Sequence, residues 1–196
     1  MTSSTAAASG RTRTLALTSA VITGLAALYC VASALFAWEP SAGFVIQAVI
    51  HLGELAGVLA LALLGAATGM LGRIGVGLAA LGQVLLAVAE LIFPFAPAVG
   101  DAIFDVAPLL TGVGMVLAGV AVLRGRRWPG AARFTPLLVG LYGLLVLPPA
   151  MIVSGGPPAP LATWVLAGWE LCWLAMAVGV LARVPATTRR RTLARS

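Results

Sequence analysis

Lysine is absent from this chain, and charge of either sign is scarce. Charged residues make up 9% of 196, the basic ones being twelve Arg and the acidic ones six Asp or Glu. Ordinary soluble domains carry about 25% charged and about 45–50% apolar residues. Here hydrophobic residues reach 61% and the mean hydropathy is +1.06. A water-exposed globule needs a charged shell that this composition does not supply, which excludes soluble enzymes and leaves no nucleic-acid partner to expect. Cysteine is nearly absent as well. Cys30 and Cys172 both lie in apolar runs, far apart and without CxxC spacing, which excludes a disulfide scaffold and a thiol-redox motif. They read as small buried thiols. A single His, His51, with scattered carboxylates makes a poor transition-metal set, so neither a metal nor another cofactor is expected.

Long apolar runs fill the chain instead. A bilayer core of ~30 Å takes about 20 apolar residues in a helix. Six runs meet that length, at 15–37, 43–68, 73–95, 102–123, 134–153 and 160–182. Breakers or charge bound each one: Glu39-Pro40-Ser41 after the first, 69–73 after the second, 94–100 after the third. Arg124-Gly125-Arg126-Arg127 follows the fourth, and Ser154-Gly155-Gly156-Pro157-Pro158 the fifth. Short connections make consecutive helices antiparallel neighbours. The fold class is therefore all-α: a polytopic membrane protein built as a six-transmembrane-helix bundle.

The Arg residues assign the orientation. Arg11 and Arg13 precede the first span, and Arg73 lies between the second and third. Arg124, Arg126, Arg127 and Arg133 lie between the fourth and fifth, and Arg183, Arg189, Arg190, Arg191 and Arg195 follow the sixth. All fall on one side of a six-span topology, while Glu39, Asp101 and Asp105 fall at the other. Positive loops stay cytoplasmic, so the expectation is N-in/C-in. It comprises a disordered cytoplasmic tail over 1–14, the transmembrane domain over 15–183 and a basic cytoplasmic tail over 184–196 resting on anionic headgroups. The expected location is the plasma membrane, crossed several times, with the lipid bilayer as partner. In a competing reading, Ala32-Ser33-Ala34 is a signal-peptide cleavage site, which would leave five spans. Arg without Lys, in a chain rich in Ala, Gly, Val and Leu, is the usage of a high-GC bacterial genome.

Polar groups inside the spans are the functional signal, because ionisable side chains in hydrocarbon need a partner or a purpose. Gln47, His51 and Glu54 follow i, i+4, i+7 on the second span and share a face; Gln83 and Glu90 do the same on the third. Counting ~1.5 Å per residue, Gln47 and Glu90 lie about 6 and 8 Å from the outer boundary, and Glu54 and Gln83 about 17 and 18 Å. Opposed faces would then pair Gln47 with Glu90 and Glu54 with Gln83 in a clamp between helices. Gly53 and Gly57 form a GxxxG pattern for close packing. Glu170, about 15 Å deep, is level with Glu54. No Arg interrupts a span, so an unpaired carboxylate at this depth should hold its proton, with His51 placed to share the proton of Glu54. Trp169 and Trp173 flank Glu170 too deep for the interfacial belt, and Glu170 with Trp173 (i, i+3) could meet an organic cation. Tyr142 lies in the fifth span near Pro148-Pro149, which should kink or end it. Pro108 is placed in the first turns of the fourth span. Asp101 and Asp105 form an acidic entrance at its mouth.

These groups cluster between the middle and the outer surface, leaving an apolar inner half and no continuous polar path. Three functions fit. The first is a small-molecule binder or proton-coupled transporter, in which Glu54 and Glu170 exchange a proton for a small hydrophobic or cationic ligand and six spans call for a homo-oligomer. Another is a membrane-embedded lipid- or isoprenoid-modifying enzyme, with terpene-cyclase-like acid catalysis by a buried Glu; no catalytic residue is assigned for it. The last is a non-catalytic accessory or assembly subunit, whose polar residues only specify packing. The first is the working expectation.

Overall fold

A computed structural model describes residues 2–36, 38 and 40–184, with side chains from Ala8 onward. Glu39 and the segment 185–196, with Arg189, Arg190, Arg191 and Arg195, lie outside the described residues. The described chain is helical: α1 (Thr2–Phe36), α2 (Gly43–Leu64), α3 (Gly69–Ile92), α4 (Pro97–Gly125), α5 (Thr135–Leu145), α6 (Leu147–Ser154) and α7 (Pro160–Leu181), with a 3₁₀ turn at Ala131–Phe134 before α5. Six segments are long and apolar enough to cross a membrane, the fifth being Ala131–Ser154, which contains α5 and α6. This is the architecture of a multi-pass membrane protein.

Local chemistry explains where most helices stop. Gly65 takes the left-handed conformation (φ 66°) that ends α2, and Gly155 does the same for α6 (φ 77°). Proline stands in the first turn of α4, α5 and α7, where its missing N–H costs no hydrogen bond. The fifth span breaks at Val146, just before Pro148 and Pro149. Two boundaries depart from expectation. Helix α1 runs back to Thr2, through the stretch expected to be a disordered tail; Ala6-Ala7-Ala8 favours helix and no Pro interrupts it. Helix α4 begins at Pro97, so Pro108 stands three turns inside it rather than near its start, and the Phe104 carbonyl has no N–H partner four residues on.

Small residues set the closest approaches. Gly75 of α3 lies against the α4 backbone, where a Cβ would fall 2.5 Å from the Ala118 nitrogen. On the facing side Gly114 meets Ala79, and Gly82 meets Thr111 and Ala107. Helix α1 packs between α2 and α7, which closes the bundle. The core joins Val58 and Leu61 of α2, Met115 and Val122 of α4, and Trp169, Trp173 and Met176 of α7. Leu, Val and Ile cover the outside instead, among them Leu25, Leu28, Leu52, Leu63, Leu141 and Ile152, an exterior suited to lipid.

The two ends of the bundle differ. At one end Arg183 Nη2 donates to the Pro129 carbonyl at 2.6 Å, and Trp128 is buried against Gly179. Gly125 at the end of α4 lies beside Thr68 of the α2–α3 turn. Arg11, Arg13, Arg73, Arg124, Arg126, Arg127 and Arg133 stand at this same end. The opposite end carries the 40–42 and 155–159 loops, the start of α4 with exposed Asp101 and Asp105, and a half-exposed Trp38.

Candidate functional site

Two glycines determine which way Glu54 points. A Cβ on Gly53 would strike Ile22 of α1, and one on Gly57 would come within 2.7 Å of Ser19 Oγ. The glycine face of α2 is thus pressed onto α1, as the GxxxG spacing predicts. Glu54 follows Gly53 by ~100° of helix rotation and is turned from α1 toward α7. There it is fully buried, and Trp169 Nε1 donates to its Oε1 at 2.6 Å. On the other side His51 Nδ1 lies 2.8 Å from Glu54 Oε2. The far ring nitrogen, Nε2, is 3.9 Å from Glu90 Oε1 of α3. A chain Trp169–Glu54–His51–Glu90 therefore crosses three helices.

Donor chemistry limits this chain to a few states. Indole N–H only donates, so Glu54 Oε1 must accept. Any proton on Glu54 then resides on Oε2, against His51. One proton can belong to His51 Nδ1, donated to an ionised Glu54, or to Glu54 Oε2, donated to the imidazole. The i, i+3 spacing on α2 thus brings His51 and Glu54 into a direct hydrogen bond.

Glu170, also buried, lies within electrostatic range of Glu54, and its Oε2 has no hydrogen-bond partner. Among the described residues the ion pairs are those of His51 with Glu54 and Glu90, so no Arg neutralises either buried Glu. The aromatic rings form a wall beside the acids. Trp169 and Trp173 meet edge-to-face at 5.7 Å, and Tyr142 lies 6.3 Å from Trp169. Tyr142 donates its hydroxyl to the Val165 carbonyl at 2.9 Å. Two more glycines seat this wall: a Cβ on Gly143 would fall 2.6 Å from the Trp169 ring, and one on Gly168 would strike the Tyr142 hydroxyl.

The expected helix clamp is not formed. Gln83 is fully buried and both of its amide atoms lack partners, so the Glu54–Gln83 pair is replaced by Glu54 with His51 and Trp169. The Gly75–Ala79–Gly82 stripe docks α3 on α4, and the α3 side chain that approaches the α2 polar face is Glu90. Gln47 makes no hydrogen bond to Glu90 either. It faces a cavity bounded by α1, α2 and α7, while Glu90 approaches His51. Nor is Glu170 bonded to Trp173, whose indole Nε1 is unpartnered; the indole that reaches a carboxylate is Trp169. Asp101 and Asp105 are exposed on α4 and make no hydrogen bond or ion pair to the cluster.

Sequence reasoning passed over Cys30. Its thiol is buried, lies within electrostatic range of both Glu170 and Glu54, and lines the cavity that Gln47 faces. Spacing on α1 alone carries little signal for this, since only the docking of α1 on α7 brings the thiol to the acids. Comparison with protein-family models, curated proteins and solved structures gives no match.

Proposed function

We propose that this is a plasma-membrane protein with both termini cytoplasmic, in which an intramembrane acid cluster binds or transports a small hydrophobic or cationic molecule. Glu54 and Glu170 exchange a proton for the ligand, His51 shares the proton of Glu54, and Trp169, Trp173 and Tyr142 form the apolar wall. The observation that carries this reading is Glu170, whose buried carboxyl oxygen has no partner beside a second buried acid with no Arg nearby. An ionisable side chain inside an apolar span, unlike a neutral amide or hydroxyl, is costly enough without a cation partner to mark a ligand or proton site. The gathering of the described Arg residues at one end supports the proposed orientation, under which the cavity would open to the extracytoplasmic side. Six helices are few for a transport path, and a homodimer is the expected working form.

The test is mass spectrometry of species that co-purify in mild detergent with wild type, Glu54→Gln and Glu170→Gln. Gln keeps hydrogen bonding and removes the titrating proton. A species present in wild type and lost from either variant, with all three proteins equally stable, is the expected result. Identical spectra from three stable proteins would leave the cluster a packing device.

A further inference from the structure

At the Arg-poor end, α1, α2 and α7 bound a cavity of about 300 Å³, within the range in which small-molecule sites begin. Its walls include Cys30 and Ser33 of α1, Phe44 and Gln47 of α2, and Thr163 and Leu166 of α7. On two of these helices an acid of the cluster follows further in. Gln47 stands one turn from His51 and two from Glu54, and Leu166 one turn from Glu170. At ~1.5 Å per residue those steps are about 6, 10 and 6 Å. Cys30 belongs to both places, lining the cavity and lying within electrostatic range of both glutamates. The acids therefore lie beneath the cavity floor.

The chemistry of the walls selects a ligand class. Ser33 Oγ is buried and unpartnered, although its residue faces the cavity. Gln47 offers an amide oxygen, and Phe44 with Tyr29 supplies aromatic faces. Among the described residues no Arg lines the cavity, and the titratable groups below it are the carboxyls and His51, which Glu54 and Glu90 already hold. An anion would find no unpaired cation among the described residues. A neutral apolar molecule would leave Ser33 as unsatisfied as before. A protonated amine would give N–H donors to hydroxyl, amide and carboxylate oxygens, with its charge drawn to the rings. Building on the acid-site function above, we infer that this cavity is the docking subsite for a small organic ammonium ion, from which its charged head reaches the Glu54–Glu170 pair.

The test is equilibrium dialysis of radiolabelled benzylammonium against the purified full chain in mild detergent, with benzyl alcohol and benzoate as neutral and anionic counterparts. Ser33→Leu fills the cavity, and Gln47→Leu removes its amide at nearly constant volume, so one variant serves if the other does not fold. Saturable binding of benzylammonium is expected, with both counterparts roughly tenfold or more weaker. Each cavity variant and Glu170→Gln should likewise weaken benzylammonium roughly tenfold or more. Binding lost in Glu170→Gln but unchanged in folded cavity variants would overturn the docking subsite and leave the acid site standing. Benzyl alcohol binding as tightly as benzylammonium would overturn the ammonium class. Absence of saturable binding to wild type would overturn the subsite altogether, and the co-purification spectra would then decide separately whether the acid site functions.

Discussion

Glu54 joins α2 to α7 through Oε1 and holds His51 of its own helix through Oε2, so replacing it in two ways separates those duties. Glu54→Gln keeps an oxygen for Trp169 Nε1 and presents an amide N–H to His51 Nδ1. Both contacts, 2.6 and 2.8 Å in the wild type, have a counterpart, and stability should change by less than about 1 kcal/mol. Glu54→Leu nearly preserves volume and supplies neither partner. A buried polar group left unsatisfied costs about 1–3 kcal/mol, and two are left, so a loss of about 2–6 kcal/mol is expected. The imidazole can turn further toward Glu90, now 3.9 Å away, so most of that loss belongs to the indole. A double-mutant cycle of Glu54→Leu with Trp169→Phe isolates it. Hydrogen bonds between membrane helices average about 0.6 kcal/mol and reach about 1.7. A 2.6 Å bond to a fully buried carboxyl belongs near the top of that range, so the expected coupling is about 1.5 kcal/mol. Reversible unfolding in mixed detergent–SDS micelles, followed by tryptophan fluorescence, measures the four proteins of the cycle and Glu54→Gln. A Gln variant as unstable as the Leu variant, or a coupling below about 0.5 kcal/mol, would refute the reasoning.

The other predictions use the same unfolding assay or a labelling assay. Gln83→Leu should stabilise the protein by about 1–3 kcal/mol, because the wild-type amide is buried without partners; a loss of stability would mean that the amide is bonded after all. Gly75→Leu should cost about 3 kcal/mol, since its first side-chain carbon would meet the α4 backbone at 2.5 Å. Gly77→Leu, on an open face of the same helix, should stay within about 0.5 kcal/mol, and equal effects of the two would contradict the α3–α4 docking. For orientation, Ser41→Cys and Met70→Cys are made in a Cys30→Ser, Cys172→Ser background. A membrane-impermeant maleimide added to intact cells should label the first and spare the second, and the reverse pattern would invert the topology.

The helices themselves were legible because hydrocarbon thickness and chain chemistry act on each segment separately. A run of apolar residues of the right length is a span whatever it packs against. Pro148-Pro149 broke the fifth span at Val146 for a reason contained in those residues. Ends were less legible where the determinant is not hydropathy. The start of α4 was set by Pro97, which preorganises a first turn, and not by the later onset of continuous apolar sequence. The first helix continued past its apolar portion because Ala sustains a helix in any solvent.

The site divides along the same line. His51 and Glu54 meet because three residues on one helix fix both height and direction, and no other part of the fold is needed. A contact between helices requires in addition the rotation of each helix about its own axis, and apolar periodicity is blunt on that point when lipid and core are both apolar. Depth placed Gln83 opposite Glu54, but Glu54 bonds His51 and Trp169 and the Gln83 amide is left without partners. The information on rotation resides in the small residues. Gly53 and Gly57 fix the face of α2 that meets α1, and thereby aim Glu54 at α7. Gly75 and Gly82 fix the face of α3 that meets α4, while the face bearing Glu90 approaches His51 of α2. Gly143 and Gly168 seat Trp169 and Tyr142 against one another beside the acids. In a bundle whose core and exterior have the same polarity, glycines spaced for close approach give a better guide to where the polar residues point than the polar residues themselves. By that logic the acid cluster is a consequence of glycine packing, so substitutions at Gly53 or Gly168 should disturb it as surely as substitutions at the acids.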